Sequence, residues 1–138
     1  MRALYMSLPK MITLGSKTDG VILSDFTLSG FTAVCESQDI RSRVHVWCHE
    51  DVESLLFLLS SLEDDWKGWT GTKSFHSVEG DFVLEATSQS LGGAKITISM
   101  KTVCNDFPWS MKATFAVSAS QFSDIQRMAN SVLNEIQI

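Results

Sequence analysis

The run His45-Val46-Trp47-Cys48-His49 gathers residue types that bind metals and transfer protons. In an extended strand His45 and His49 share one face, four residues apart, while Cys48 points to the other. Ligands so divided do not converge, and zinc-type spacing is absent, so no metal site is expected here. Cys35 or Cys48 beside a histidine offers a nucleophile and a base, but nothing marks an oxyanion site or a third orienting residue. Gly68, Gly71 and Gly80 lack the strand-turn-helix setting of a phosphate-binding loop. The chain therefore reads as a non-enzyme without a cofactor, and its chemistry is sought in binding.

Charge placement gives the best hint of what is bound. Glu50, Asp51, Glu53, Glu63, Asp64 and Asp65 crowd one predicted helix that contains no Lys or Arg. Carboxylates near its start meet the positive end of the helix dipole, whereas Glu63, Asp64 and Asp65 sit at the opposite end, where exposed acids cost a few tenths to about 1 kcal/mol each. Such a local violation is expected where function outweighs stability, and a negative cluster invites a basic protein surface. Glu63, Asp64 and Asp65, with Glu50 and Glu53, are the candidate partner-binding residues; a solvated helix face is the plainer alternative. Trp47, Trp66, Trp69 and Trp109 are expected mostly to complete a core, and could otherwise serve an interface or stack on bases.

The elements that position these residues follow from periodicity. Val21 to Leu28, Phe31 to Glu36 and Arg43 to His49 are strand-like, with breaks at Asp19-Gly20 and Ser29-Gly30, the latter able to close a hairpin. In the third run Val44, Val46 and Cys48 take one sheet face and His45, Trp47 and His49 the other. A helix follows, N-capped by Asp51, with Val52, Leu55, Leu56, Leu59, Leu62 and Trp66 in one stripe that Phe57 and Leu58 widen, as if the helix were covered on more than one side. The second half repeats this order. Phe82, Leu84 and Ala86 precede a Gly92-Gly93 turn, Ile96, Ile98 and Met100 form a half-buried return strand, and Asn105-Asp106-Phe107-Pro108 turns into Met111, Ala113, Phe115 and Val117. Ser118 or Ser120 caps a last helix with the stripe Phe122, Ile125, Met128, Ala129, Val132, Leu133 and Ile136. The predicted fold is α+β, mainly antiparallel sheet with two amphipathic helices in the order strands-helix-strands-helix.

At 138 residues the chain suits one domain, expected over residues 12–138 after a flexible extension at 1–11. No segment approaches the roughly 18 consecutive apolar residues of a membrane span, and the N-terminus makes a poor signal peptide. Cys35, Cys48 and Cys104 form no Cys-x-x-Cys pair and read as small buried thiols, which places the chain in a reducing cytoplasm. A net charge of −5 opposes contact with phosphate backbones and anionic lipid.

The connector Trp66-Lys67-Gly68-Trp69-Thr70-Gly71, followed by Ser77-Val78-Glu79-Gly80-Asp81-Phe82, a Gly-turned strand pair and a C-terminal helix, resembles an uncharacterised bacterial family similar to immunity proteins of polymorphic and contact-dependent toxin systems. The resemblance covers roughly Gly20 to Leu133, and its most specific part is the Trp-x-Gly-Trp-x-Gly and Glu-Gly-Asp block. At the paired strands the chain departs from it, with Leu91-Gly92-Gly93 in place of the usual turn. The resemblance supplies no site residues. It implies a role: tight binding and neutralisation of a cognate toxin domain, many of which are cationic nucleases. A single-stranded nucleic acid binder built on paired sheets is the second reading, and a small hydrolase the third. The connector itself reads as a structural hinge between the halves, which moves the functional expectation upstream to Glu63, Asp64 and Asp65.

Overall fold

The computed structural model describes residues 10–48, 51–102 and 106–136. Among them eight strands and two long helices follow the expected order strands-helix-strands-helix: β1 (Ile12–Gly15), β2 (Asp19–Thr27), β3 (Gly30–Ser37), β4 (Ile40–Trp47), α1 (Val52–Asp64), β5 (Thr72–His76), β6 (Phe82–Ser88), β7 (Ala94–Lys101), β8 (Ser110–Val117) and α2 (Phe122–Ile136). The strands form two four-stranded antiparallel meanders, β1-β2-β3-β4 and β5-β6-β7-β8, each closed in sequence by its helix. The fold is α+β, built from one unit of four strands and a helix used twice.

Alternation decides which face of each sheet turns inward. In the first sheet Leu23, Ala33 and Val44 are cross-strand neighbours, as are Val21, Cys35 and Ser42. All but Val44 and Ser42 of these are buried, whereas the intervening Ile22, Val34 and Arg43 belong to the other face. The second sheet does the same with Leu84, Ile98 and Ala113, and with Ala86, Ile96 and Phe115. A bulge between Ser24 and Thr27, with Asp25 at φ 55°, resets the parity of β2. Phe26 is thereby turned inward, 5.7 Å from Phe31 between ring centroids.

One core holds both sheets and both helices. Phe31 of β3 meets Phe82 of β6 edge to face at 5.2 Å, and Phe75 of β5 lies 6.4 Å and 6.3 Å from them, so the two sheets are joined by aromatic rings. β8 lies against β1, β2 and β3, while α1 and α2 pack on one another. Each fully buried Leu or Phe contributes about 1.5–3 kcal/mol by leaving water, and α1 alone buries Leu55, Leu56, Leu59 and Leu62.

Several boundaries and placements differ from the sequence reading. The sequence pattern announces neither β1 nor β5, and β5 lies between the Trp-Gly connector and the Glu-Gly-Asp block. Asp19-Gly20 opens β2 instead of breaking the chain, and the turn before it is held by Ser16 N–H donating to the Asp19 carbonyl at 3.0 Å. β4 begins at Ile40, three residues earlier than expected. Asp51 is the N-cap residue of α1 but its side chain makes no capping bond. Phe57 is 56% exposed and Trp66 lies beyond the helix at 55%, so α1 is open on the side expected to be covered. Ser118 does cap, accepting from Ser120 N–H at 3.1 Å ahead of a short 3₁₀ turn into α2. His49, Glu50, Cys104 and Asn105 lie outside the described residues.

Candidate functional site

The acids at the end of α1 are tied into the fold more closely than the sequence implies. Lys73 of β5 donates to Asp65 Oδ2 at 2.7 Å and stands 5.2 Å from the centroid of Trp69. Gln126 of α2 donates to Asp64 Oδ1 at 2.9 Å and to the Ser60 carbonyl at 3.0 Å. A cation and an amide from other elements thus offset the unfavourable dipole placement of Asp65 and Asp64. The local violation has a structural account, although Asp64 stays exposed and Asp65 is only half buried.

The same contacts explain the Trp-Gly connector. Asp65 N–H donates to Ser61 O at 3.0 Å, and Gly68 N–H donates to Asp65 O at 2.8 Å while Gly68 adopts φ 124°, a conformation that side-chain-bearing residues resist. Trp69 then anchors the turn, its indole donating to the Ala86 carbonyl of β6 at 3.3 Å. The Glu-Gly-Asp block is structural as well. Ser77 Oγ donates to Asp81 Oδ1 at 2.5 Å and accepts from Phe82 N–H at 3.0 Å, knotting the β5–β6 turn.

The expectation that most tryptophans complete the core is corrected. Trp69 packs against it, but Trp47, Trp66 and Trp109 are 45%, 55% and 39% exposed. Trp47 alternates outward on β4, Trp66 follows α1, and Trp109 precedes β8.

What remains at the surface is unevenly charged. The outer side of α1 carries Glu53, Phe57 and Asp64 on one stripe, since spacings of four and eleven residues return to nearly the same helical angle. Asp51 is exposed at its start, Glu63 is half-buried at its end, and Glu50 lies outside the described residues. The strands expose Arg41 and Arg43 on β4, Lys95 and Lys101 on β7 and Lys112 on β8, together with Asp25 on β2, while Glu36 and Glu85 are half-buried. This polarity within a chain of net charge −5 is invisible to a composition count.

The two described thiols offer no exposed nucleophile. Cys35 and Cys48 are buried, and burial, helped by Glu36 in one case and by Asp81 and Asp51 in the other, pushes their pKa values up to about 11 and about 12. His45 instead shares a 3.3 Å hydrogen bond between Nδ1 and Thr32 Oγ1. In a Cys104→Ser background the native protein should resist a thiol reagent near neutral pH and expose two reactive thiols on unfolding. Above pH 9.0 the unfolded chain sheds these protons first, so the stability contributed by the two neutral thiols is complete below pH 9.0 and lost as pH rises toward about 11 and about 12. Urea midpoints should fall across that window, less steeply in Cys48→Ala; equal slopes would contradict the assignment. No group of three or more His, Cys, Asp or Glu that could hold a metal ion occurs among the described residues, and the second histidine of the candidate pair, His49, is not among them. No helix among the described residues is long and apolar enough to cross a membrane.

The fold and surface define a two-sheet α+β domain with an acidic, aromatic-bearing helix and exposed Arg and Lys on β4, β7 and β8. Residues 16–135 match the model of DUF6228, a family of unknown function, and the chain belongs to that family. No curated protein matches it.

Proposed function

We propose that the protein is a non-enzymatic binding module of the immunity type, acting in the cytoplasm, which docks the outer face of α1 on a cationic toxin domain and blocks it. The observation that carries this reading is the exposed Phe57, on the same stripe as Glu53 and Asp64, with exposed Trp66 just beyond the helix. An aromatic anchor ringed by charge has the anatomy of a binding hot spot, and acidic surroundings speed encounter with a basic partner. The buried, proton-retaining thiols favour binding over covalent catalysis.

The test is co-expression with any growth-arresting domain encoded beside this chain. The wild type should restore growth, and Phe57→Ser combined with Asp64→Asn should lose protection while folding to the same level, because exposed positions change stability by only about 0.5 kcal/mol whereas an anchor contributes about 2 kcal/mol or more to binding. Equal protection by the variant would discard the α1 face. Absence of any growth-arresting neighbour would discard the immunity role. The exposed Trp47 and Trp109 on the cationic side favour a second reading, single-stranded nucleic acid, which a low-salt titration with labelled oligonucleotide decides.

A further inference from the structure

β4 ends the first sheet, and among the described residues no strand pairs with its outer side. The orientation of its backbone follows from one bond. Cys48 N–H donates to Ser29 O at 2.8 Å, on the β3 side, and backbone groups alternate sides along a strand. The N–H and C=O groups of Arg43 and His45 therefore point away from β3.

A cleft of about 300 Å³ is lined by Arg43, Val44 and His45 on one wall and by Lys101, Thr102 and Trp109 on the other, with the buried Asp81 between them. Three consecutive residues of one strand line it, so the cleft runs along the strand's backbone edge. Its cations are uncommitted. Arg41 is held by Glu36 at 3.1 Å, but neither Arg43 nor Lys101 forms an ion pair among the described residues. A half-exposed indole, Trp109, offers an apolar wall.

From this geometry we propose that the cleft is a peptide-binding site: an extended acidic segment of a partner protein adds to β4 as a fifth strand, its carboxylates alternating to meet Arg43 and Lys101. Main-chain bonds to Arg43 and His45 supply affinity, and the two cations select the sign of the incoming side chains. Charges on an edge strand commonly ward off random pairing, and here they do so for every strand that is not acidic. A second copy of this chain is a poor occupant, because β4 pairing with β4 sets Arg41 and Arg43 against the same cations. The site is independent of the α1 face and has the opposite charge, so the two could be engaged together.

Fluorescence anisotropy with the full chain and a labelled, end-capped peptide of alternating Glu and Val tests the proposal. The acidic probe should bind, with affinity falling as salt rises, and the Lys–Val counterpart should not. Arg43→Ser with Lys101→Ser should weaken the acidic probe at least about tenfold and flatten its salt dependence. His45→Pro is the decisive variant, since it deletes an outward N–H while leaving the ladder to β3 intact, as Pro on an edge strand can. It should abolish binding with the circular dichroism and melting temperature of His45→Ala, which should itself bind within about twofold of wild type. Binding undiminished in His45→Pro, equal binding of both peptides, or a preference for labelled oligonucleotide over the acidic peptide would each overturn it.

Discussion

Phe82→Ala is expected to lower the unfolding free energy by about 3–5 kcal/mol, the largest single effect of any substitution considered. Phe82 has no exposed surface, and its ring meets Phe31 of the other sheet edge to face at 5.2 Å and Phe75 at 6.3 Å. Truncation removes the apolar burial and leaves a cavity at the seam between sheets, which cannot close without moving one sheet against the other. Phe75→Ala should cost less, because β5 is an edge strand and Phe75 retains slight exposure. Urea unfolding measures both. A loss below about 1 kcal/mol for Phe82→Ala would show that the sheets do not depend on this seam.

Ser77→Ala is expected to cost about 2–3 kcal/mol, far more than removing one hydroxyl from a turn ordinarily does. The Ser77 hydroxyl serves two buried groups, donating to the Asp81 carboxyl at 2.5 Å and accepting from Phe82 N–H at 3.0 Å. Both are left without that partner in the variant, and Asp81 is only 5% exposed. The cost is the desolvation penalty of unsatisfied polar groups, not the worth of one hydrogen bond. Ser77→Ala combined with Asp81→Ala should be less than additive, since removing the carboxyl removes part of what was orphaned. Full additivity in a double-mutant cycle would mean that the two side chains act separately.

These two residues show where the sequence is eloquent and where it is mute. Phe82 declares itself by alternating with Leu84 and Ala86, and the strand faces follow wherever such alternation is clean, as in Ile96, Ile98 and Met100. β5 carries no such signal: Thr72-Lys73-Ser74-Phe75-His76 buries one residue, as an edge strand covered on one side can afford to do. β1 is four residues long and equally quiet. The tryptophans mislead for a related reason, since Trp47 sits one residue from Cys48 and only the sheet assigns it to the outer face. The partners of the α1 acids were not legible either. Lys73 is eight residues from Asp65, but Gln126 is 62 from Asp64, and no periodicity links residues across that separation. Composition hides the charge polarity, because it sums helix acids and strand cations into one net value.

The connector and the Glu-Gly-Asp block hold the fold, through Trp69 on Ala86 and Ser77 on Asp81. On the proposed docking face of α1, Phe57 is exposed, Asp64 accepts from the neutral amide of Gln126 and Asp65 pairs with Lys73, so Asp64 and Glu63 should carry more of the partner's attraction than Asp65 does.

The most direct measurement is the association rate of the chain with the purified cationic toxin domain that the proposed function requires, followed as ionic strength is raised. The wild type should associate fast at low salt and slow steeply as salt increases, and replacing Glu63, Asp64 and Asp65 by Ser should slow it about tenfold and flatten that dependence. Association kinetics unchanged by the replacement, at every salt concentration, would contradict the account.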